Sequence, residues 1–216
     1  MKLNNHKKFR WEEFFAKVVL EKCFPTEFKN IIIDDKPDLQ MDDIGIEATV
    51  SILDSELEMN SLSNMYHKIL SEDKDSIKEK NKKKKRIQEL GGIIDDYSLT
   101  LPMVYVATDK ILNCIKIKEE KLNSDIYKEF KHYYLFIRDI EYIEESKVNE
   151  FQEKIYNIID KYSKKFEKVI IYLNGIIYSF SYIEKNYKKI IISLEQRQEY
   201  GAEASEMLEN FKKCDI

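Results

Sequence analysis

Residues 36–51 read KPDLQMDDIGIEATVS. An apolar stretch at 44–52 follows a Pro-Asp pair and carries one carboxylate, Glu47. Alternation sets Ile44, Ile46, Ala48 and Val50 on one face of a strand, with Gly45, Glu47 and Thr49 on the other. A charge in the middle of an otherwise buried-looking strand needs a partner, because an isolated buried carboxylate is costly. Asp38 follows Pro37, where a preceding strand at 30–33 ends. Two carboxylates brought together from neighbouring strands suit a hard divalent cation. Mg²⁺ or Mn²⁺ takes a few carboxylates plus water and phosphate oxygens. A lone Pro-Asp is also a common turn, and a strand Glu often faces solvent, so spacing alone carries both readings.

Upstream, residues 8–22 predict an amphipathic helix with Trp11, Phe14, Phe15, Val18 and Val19 on one face. Glu12 and Glu13 sit beside that face, and Pro25 stops the helix. Downstream, residues 107–122 predict a helix with Ile111, Leu112, Ile115 and Leu122 on one side. HYYLFIRDI at 132–140 reads as a strand, 147–166 as a helix, and 169–173 and 176–180 as strands around a hairpin turn at Asn174-Gly175. Residues 190–194 read as a further short strand or extended segment, and 202–213 as a closing helix. Strands alternating with helices imply an α/β layer architecture, and the hairpin makes part of the sheet antiparallel. No internal repeat is present.

Residues 54–100 differ in character. They read as charged and mainly helical, with few residues able to form a core, and include the run KEKNKKKKR at 78–86. Gly91-Gly92 punctuates the end, and Pro102 follows. We read them as an insertion or arm within a single domain spanning 1–216. The basic run suits either a phosphate backbone or a solvated helical face. No aromatic residue interleaves with it, which argues against base stacking there.

With 43% hydrophobic residues the 216-residue chain is long enough to bury a core, and 35% charged residues imply a crowded polar surface. A net charge of −4 argues against wholesale coating of nucleic acid, though not against a local basic patch. The three cysteines, Cys23, Cys114 and Cys214, are far apart and lack zinc-knuckle or redox spacing, so they are read as reduced. The histidines His6, His67 and His132 are scattered. Tyr133, Tyr134 and Phe136 read as packing residues. The chain shows no leader pattern and no apolar run long enough for a membrane span, so a cytoplasmic location is expected. It also lacks a phosphate-binding Gly-rich loop and a nucleophile elbow, which counts against an ATPase or an α/β-hydrolase.

The order acidic helix, strand, Pro37-Asp38, then strand with Glu47-Ala48-Thr49 resembles the PD-(D/E)xK nucleases, the restriction-endonuclease-like superfamily. The specific motif covers about 14 residues; the compatible topology covers most of the chain outside 54–100. The resemblance implies a restriction-endonuclease-like mixed sheet flanked by helices and metal-dependent hydrolysis of DNA phosphodiester bonds. Asp38 and Glu47 would hold Mg²⁺ or Mn²⁺, and Glu13 (or Glu12) would add a further acid through water. The superfamily's usual lysine falls on Thr49, which cannot orient or deprotonate a water as that lysine is thought to do. In some members the lysine comes from a neighbouring element. Lys118 is the first choice here, with Lys121 one turn away as the alternative and as a nucleic-acid contact. Lys82, Lys83, Lys84, Lys85 and Arg86 would grip the backbone, DNA being expected ahead of RNA. The arm also offers a surface for a second copy or a partner protein. Phage defence or a mobile element is the expected setting by analogy. The alternative is a non-catalytic nucleic-acid- or protein-binding module on a degenerate nuclease fold.

Overall fold

The computed structural model of the chain describes residues 10–51, 77–89, 93–94, 99–100, 107–124, 128–139 and 142–214. The expected helix start at 8, His6, His67, Gly91-Gly92 and Pro102 lie outside them. The chain divides into two compact units, Met1–Ser51 with Ala107–Ile216, and Ile52–Val106.

The first unit is built on a mixed seven-stranded sheet. Its strands are β1 (Ile32–Ile33), β2 (Leu39–Met41), β3 (Ile44–Val50), β6 (His132–Asp139), β7 (Lys168–Leu173), β8 (Ile176–Ser181) and β9 (Asn186–Ile191), in that spatial order. β3, β6 and β7 run parallel, and the flanking pairs are antiparallel. Parallel neighbours need crossover connections, and helices supply them. The helices α3 (Ala107–Leu122) and α4 (Val148–Ile159) follow β3 and β6 and cover one face. There Ile111, Ile115, Phe151 and Ile155 pack on Leu135, Ile137, Val169 and Ile171. The helices α1 (Trp11–Cys23) and α5 (Leu194–Cys214) cover the other face, where Phe15, Val18, Val19 and Ala204 meet Ile46, Phe136 and Ile170. Strands buried on both faces read as continuous apolar runs, as VIIYL at 169–173 does. The class expected from the sequence, a mixed α/β sheet flanked by helices, is the observed one.

Four local readings change. A strand absent from the sequence reading, β2, occupies Leu39–Met41 and pairs with both β1 and β3. The helix expected over 147–166 ends at Ile159; further along, Lys164 N donates to Asn123, just past α3, and Phe166 N donates to Glu119 within it. The short strand or extended segment expected at 190–194 is a strand, but it starts earlier and spans Asn186–Ile191. The last helix starts at Leu194, eight residues before the expected 202. Its start carries a reciprocal cap: Gln196 N donates to Ser193 Oγ at 3.2 Å, and Ser193 N donates to Gln196 Oε1 at 3.0 Å.

The hairpin between β7 and β8 has both Asn174 and Gly175 at positive φ (42° and 97°), the geometry that a tight right-twisted hairpin requires. Arg197 Nη1 locks it by donating to Asn174 O and Oδ1 at 3.0 and 2.7 Å.

In the second unit, α2 (Ile77–Glu89) carries the basic run, and β4 (Ile93–Ile94) pairs antiparallel with β5 (Leu99–Thr100). Its described part is therefore not helical throughout. Lys82, Lys85 and Arg86 are exposed on α2, while Ile87 is fully buried.

Candidate functional site

β3 alternates as its sequence dictates. Ile44, Ile46 and Ala48 join the core under α1 and α5. Glu47 points to the opposite face, beneath α3, and is only 1% exposed. Gly45 precedes it for a steric reason. A Cβ there would lie 2.7 Å from Pro37 Cγ and 2.9 Å from Phe130 Cδ2, so any side chain would clash with both rings.

Asp38 arrives from the edge. One step beyond the Leu39–Ile46 pair, the antiparallel register sets it across from Glu47. Its Oδ2 accepts the N–H of Ala48 at 2.9 Å, so a side chain extends the ladder just ahead of the first residue of β2. Burial pushes the Asp38 carboxyl up to about 6. Repulsion from Glu47 adds to this; the Ala48 N–H and the charges of Lys118 and Lys121 oppose it.

The lysines come from α3. Lys118 Nζ donates to Glu47 Oε1 at 2.6 Å, and Lys121 Nζ donates to the same oxygen at 2.9 Å. Their spacing of three residues sets them one turn apart on one helix face. Lys118 is 17% exposed and Lys121 43%, so the first is enclosed and the second open to solvent. Thr49, where the motif lysine would stand, shares a hydrogen bond with the Cys114 side chain on α3. Burial holds that thiol above its ordinary range. Cys23 and Cys114 are both free.

The two acids at the start of α1 separate in role. Glu13 is buried and accepts the Arg10 N–H at 3.2 Å as an N-terminal cap. Burial raises its carboxyl to about 7, and the charge of Asp38 contributes to the rise. Glu12 turns instead to Arg138, 3.5 Å away, whose guanidinium lies over the Trp11 ring. Of the pair, Glu13 is the one that feels Asp38. Asp38, Glu47, Lys118 and Lys121 therefore converge, whereas Glu13, on α1 at the other sheet face, is linked to them only through the charge of Asp38. Lys82, Lys84, Lys85 and Arg86 lie in the second unit, where Arg86 pairs with Glu89 at 3.3 Å.

A hard cation fits this donor set. Burial and mutual repulsion oppose ionisation of Asp38 beside Glu47, and a divalent cation relieves both. Among the described residues no three His, Cys, Asp or Glu side chains gather as a metal-holding group. Two carboxylates completed by waters and substrate oxygens are what Mg²⁺ accepts.

One residue of this region escaped the sequence reading. Glu119, between the two lysines, faces inward and is fully buried. Its Oε1 accepts the Phe166 N–H at 3.0 Å, while Oε2 has no hydrogen-bond partner. Asn123, four residues on, accepts from Lys164 N at 3.0 Å and donates to Lys164 O at 2.9 Å. Together they pin the last turns of α3 to the segment before β7. The signal was present: 119 continues the inward series 111, 115, 122. Burial pushes the Glu119 carboxyl from 4.5 to about 7 against the Phe166 N–H and the charge of Lys165. A raised folded value means the folded state holds the proton more tightly. This stability is full below pH 4.5 and lost as pH rises through about 7. Glu119→Gln, which keeps an acceptor for Phe166, is expected to raise stability at pH 8 by up to about 3 kcal/mol and to change little at pH 4. Urea melts at the two pH values check this.

Comparison of the chain with protein-family models, curated proteins and solved structures finds no match. Among the described residues no helix is long and apolar enough to cross a membrane.

Proposed function

We propose that the chain is a metal-dependent nuclease that hydrolyses phosphodiester bonds, with DNA as the substrate that the resemblance implies. The observation that carries this reading is the double contact of Lys118 and Lys121 with Glu47 Oε1. The strand motif lacks its lysine, and a helix 71 residues away in sequence brings one to the same carboxylate. Asp38 and Glu47 would hold Mg²⁺ or Mn²⁺, which when bound polarises a phosphate and eases ionisation of a water. Lys118, enclosed beside Glu47, donates N–H bonds that orient the attacking water and face the charge building on the phosphate oxygens. Lys121, more exposed, contacts an adjacent phosphate. Glu13, with its carboxyl near neutrality, is suited to accept a proton from water beside Asp38.

A second reading has one observation in its favour. Glu47 already carries two ammonium partners, so its charge is met without a metal. A non-catalytic binding module on the same fold would need no more.

The test is cleavage of labelled duplex and single-stranded DNA and RNA with Mg²⁺, with EDTA as control. EDTA-sensitive cleavage is expected. Lys118→Met should lower its rate on the order of 10²-fold, the usual effect of one transition-state donor, with DNA binding in EDTA unchanged. Full activity in Lys118→Met would overturn its role. Absence of cleavage of every substrate by the wild-type protein favours the binding module.

A further inference from the structure

We propose that the hollow at the β1–β2 edge of the sheet binds a nucleotide whose base is unpaired. That a nucleotide binds there stands on the hollow alone. That this nucleotide belongs to the substrate strand rests on the nuclease reading above.

The hollow has a volume of about 720 Å³, within the range of small-molecule sites. Register fixes its place. Gln40, which lines it, stands across from Gly45 on β3 and Ile32 on β1, and residues paired in this way share a sheet face. Alternation sets Glu47 on that face too. Asp38 lies two residues before Gln40, so their Cα atoms are at most about 7 Å apart. The hollow therefore opens beside the carboxylate pair, near enough for one nucleotide to reach both.

The first argument is a buried amide with bonds to spare. Gln40 is 8% exposed. Its Nε2 donates to Pro37 O at 3.3 Å, and its Oε1 accepts Lys128 Nζ at 3.1 Å. A carboxamide carries two N–H groups and two lone pairs, so one of each is left. A donor and an acceptor side by side match the edge of a nucleobase, as glutamine matches adenine. The amide is sunk in the hollow, so a base must leave its stack and its partner to meet it.

The second argument is a fixed aromatic wall. The Phe130 ring lines the hollow and sits against Gly45, where a Cβ would come within 2.9 Å of it. It meets Tyr133 edge-on at 6.3 Å. Phe130 N donates to the Tyr133 hydroxyl at 2.9 Å, and that hydroxyl donates to Lys128 O at 3.2 Å. Ring and loop are thus held before any ligand arrives, which lowers the ordering cost of binding. Unstacked bases favour such aromatic surfaces. Ile32, 66% exposed, adds apolar lining.

The third argument is charge. Lys29 and Lys128 line the hollow, and neither joins an ion pair among the described residues. Of the two lining acids, Glu27 is met by Lys168, which leaves Asp42. Two ammonium groups against one carboxylate give a net charge of +1, the sign that holds a phosphate.

The test is amide NMR of the full chain in EDTA, titrated with each of the four 2′-deoxynucleoside 5′-monophosphates and, separately, with inorganic phosphate. The nucleotides should shift the signals of Lys29, Met41 and Phe130 and saturate with Kd on the order of 1 mM or below, unequally among the bases. Phosphate alone should bind about fivefold more weakly or worse, since stacking of the base is lost. Gln40→Glu keeps the acceptor for Lys128 and removes the N–H. It should change the preference among bases by about fivefold or more, the low end of one bidentate contact. Lys29→Gln should weaken all four nucleotides and phosphate alike. Thermal melts check folding; if Gln40→Glu does not fold, Phe130→Leu replaces it and should bring nucleotide affinity down toward that of phosphate. No shifts around the hollow, or phosphate bound as tightly as the nucleotides, would overturn the inference. So would an unchanged order of preference in folded Gln40→Glu, or unchanged affinity in Phe130→Leu. Cleavage reads the substrate role separately, with single strands expected to be cut ahead of duplex. Equal cutting of both, with nucleotides still bound, would remove the hollow from the substrate path and leave the nuclease reading standing. No cutting, with nucleotides still bound, would sink the nuclease reading and leave the nucleotide site.

Discussion

Replacing Asp38 by Asn is expected to abolish the proposed Mg²⁺-dependent cleavage, by a factor on the order of 10³, while making the protein more stable. The two effects have one origin. Asp38 is held beside Glu47 in a partly buried position that pushes its carboxyl from 3.8 to about 6. The folded state therefore favours the protonated form. The stability this brings is full below pH 3.8 and lost as pH rises through 6. Above pH 7 the ionised carboxylate is a net cost, which Asn removes while keeping an acceptor for the Ala48 N–H. Discounted for partial solvent access, the gain is about 1–2 kcal/mol at pH 8, or roughly 3–6 °C in Tm. The gain should vanish near pH 4. Wild-type cleavage should rise with pH through 6, since the ion needs the carboxylate ionised. Melting curves and single-turnover rates across pH 4–8 test both halves. A destabilised Asp38→Asn would mean the carboxylate is a structural ion-pair partner instead.

Glu47→Ala is expected to abolish the same cleavage with the opposite effect on stability. Glu47 is the counter-ion of two ammonium groups, one of them largely enclosed. Removing one side of a buried ion pair leaves the other without compensation, at a cost of about 3 kcal/mol. That lowers Tm by roughly 6–12 °C. Lys121 relaxes into solvent, so Lys118 carries most of the loss. The double variant Glu47→Ala with Lys118→Met should therefore recover much of the Tm, because it removes the stranded charge. If the double variant melts as low as the single one, the loss comes from packing rather than charge. Two carboxylates of one site, one raising and one lowering stability on removal, is a signature that a pair of solvent-facing acids would not give.

The parts of this site that were legible in the sequence were those with a strong period. Alternation across 44–50 assigned Glu47 its face, and a three-residue step on a helix pointed to Lys118 and Lys121. What sequence did not reveal was decided by tertiary contacts. β2 is three residues long between Pro37 and an Asp42 held at φ 47°, too short for a period, and exists because strands on both sides pair with it. The helix expected to reach 166 stops at Ile159, and the N–H groups of Lys164 and Phe166, which a longer helix would have used internally, go to Asn123 and Glu119. β9 is polar on an edge and gives no burial pattern to read. The start of α5 was the avoidable miss, since Ser193-Leu194-Glu195-Gln196 is a capping-box sequence.

The separation of Glu47 from Lys118 by 71 residues also has a consequence in time. Synthesis at about 5–20 residues per second puts roughly 4–14 s between the appearance of the carboxylate and that of its ammonium partner. The intervening Ile52–Val106 unit emerges first, and β6, the parallel neighbour of β3, later still. For that interval the nascent chain carries the acids without the helix that neutralises them. The chemistry proposed for them would therefore wait until α3 has been made and has docked on β3.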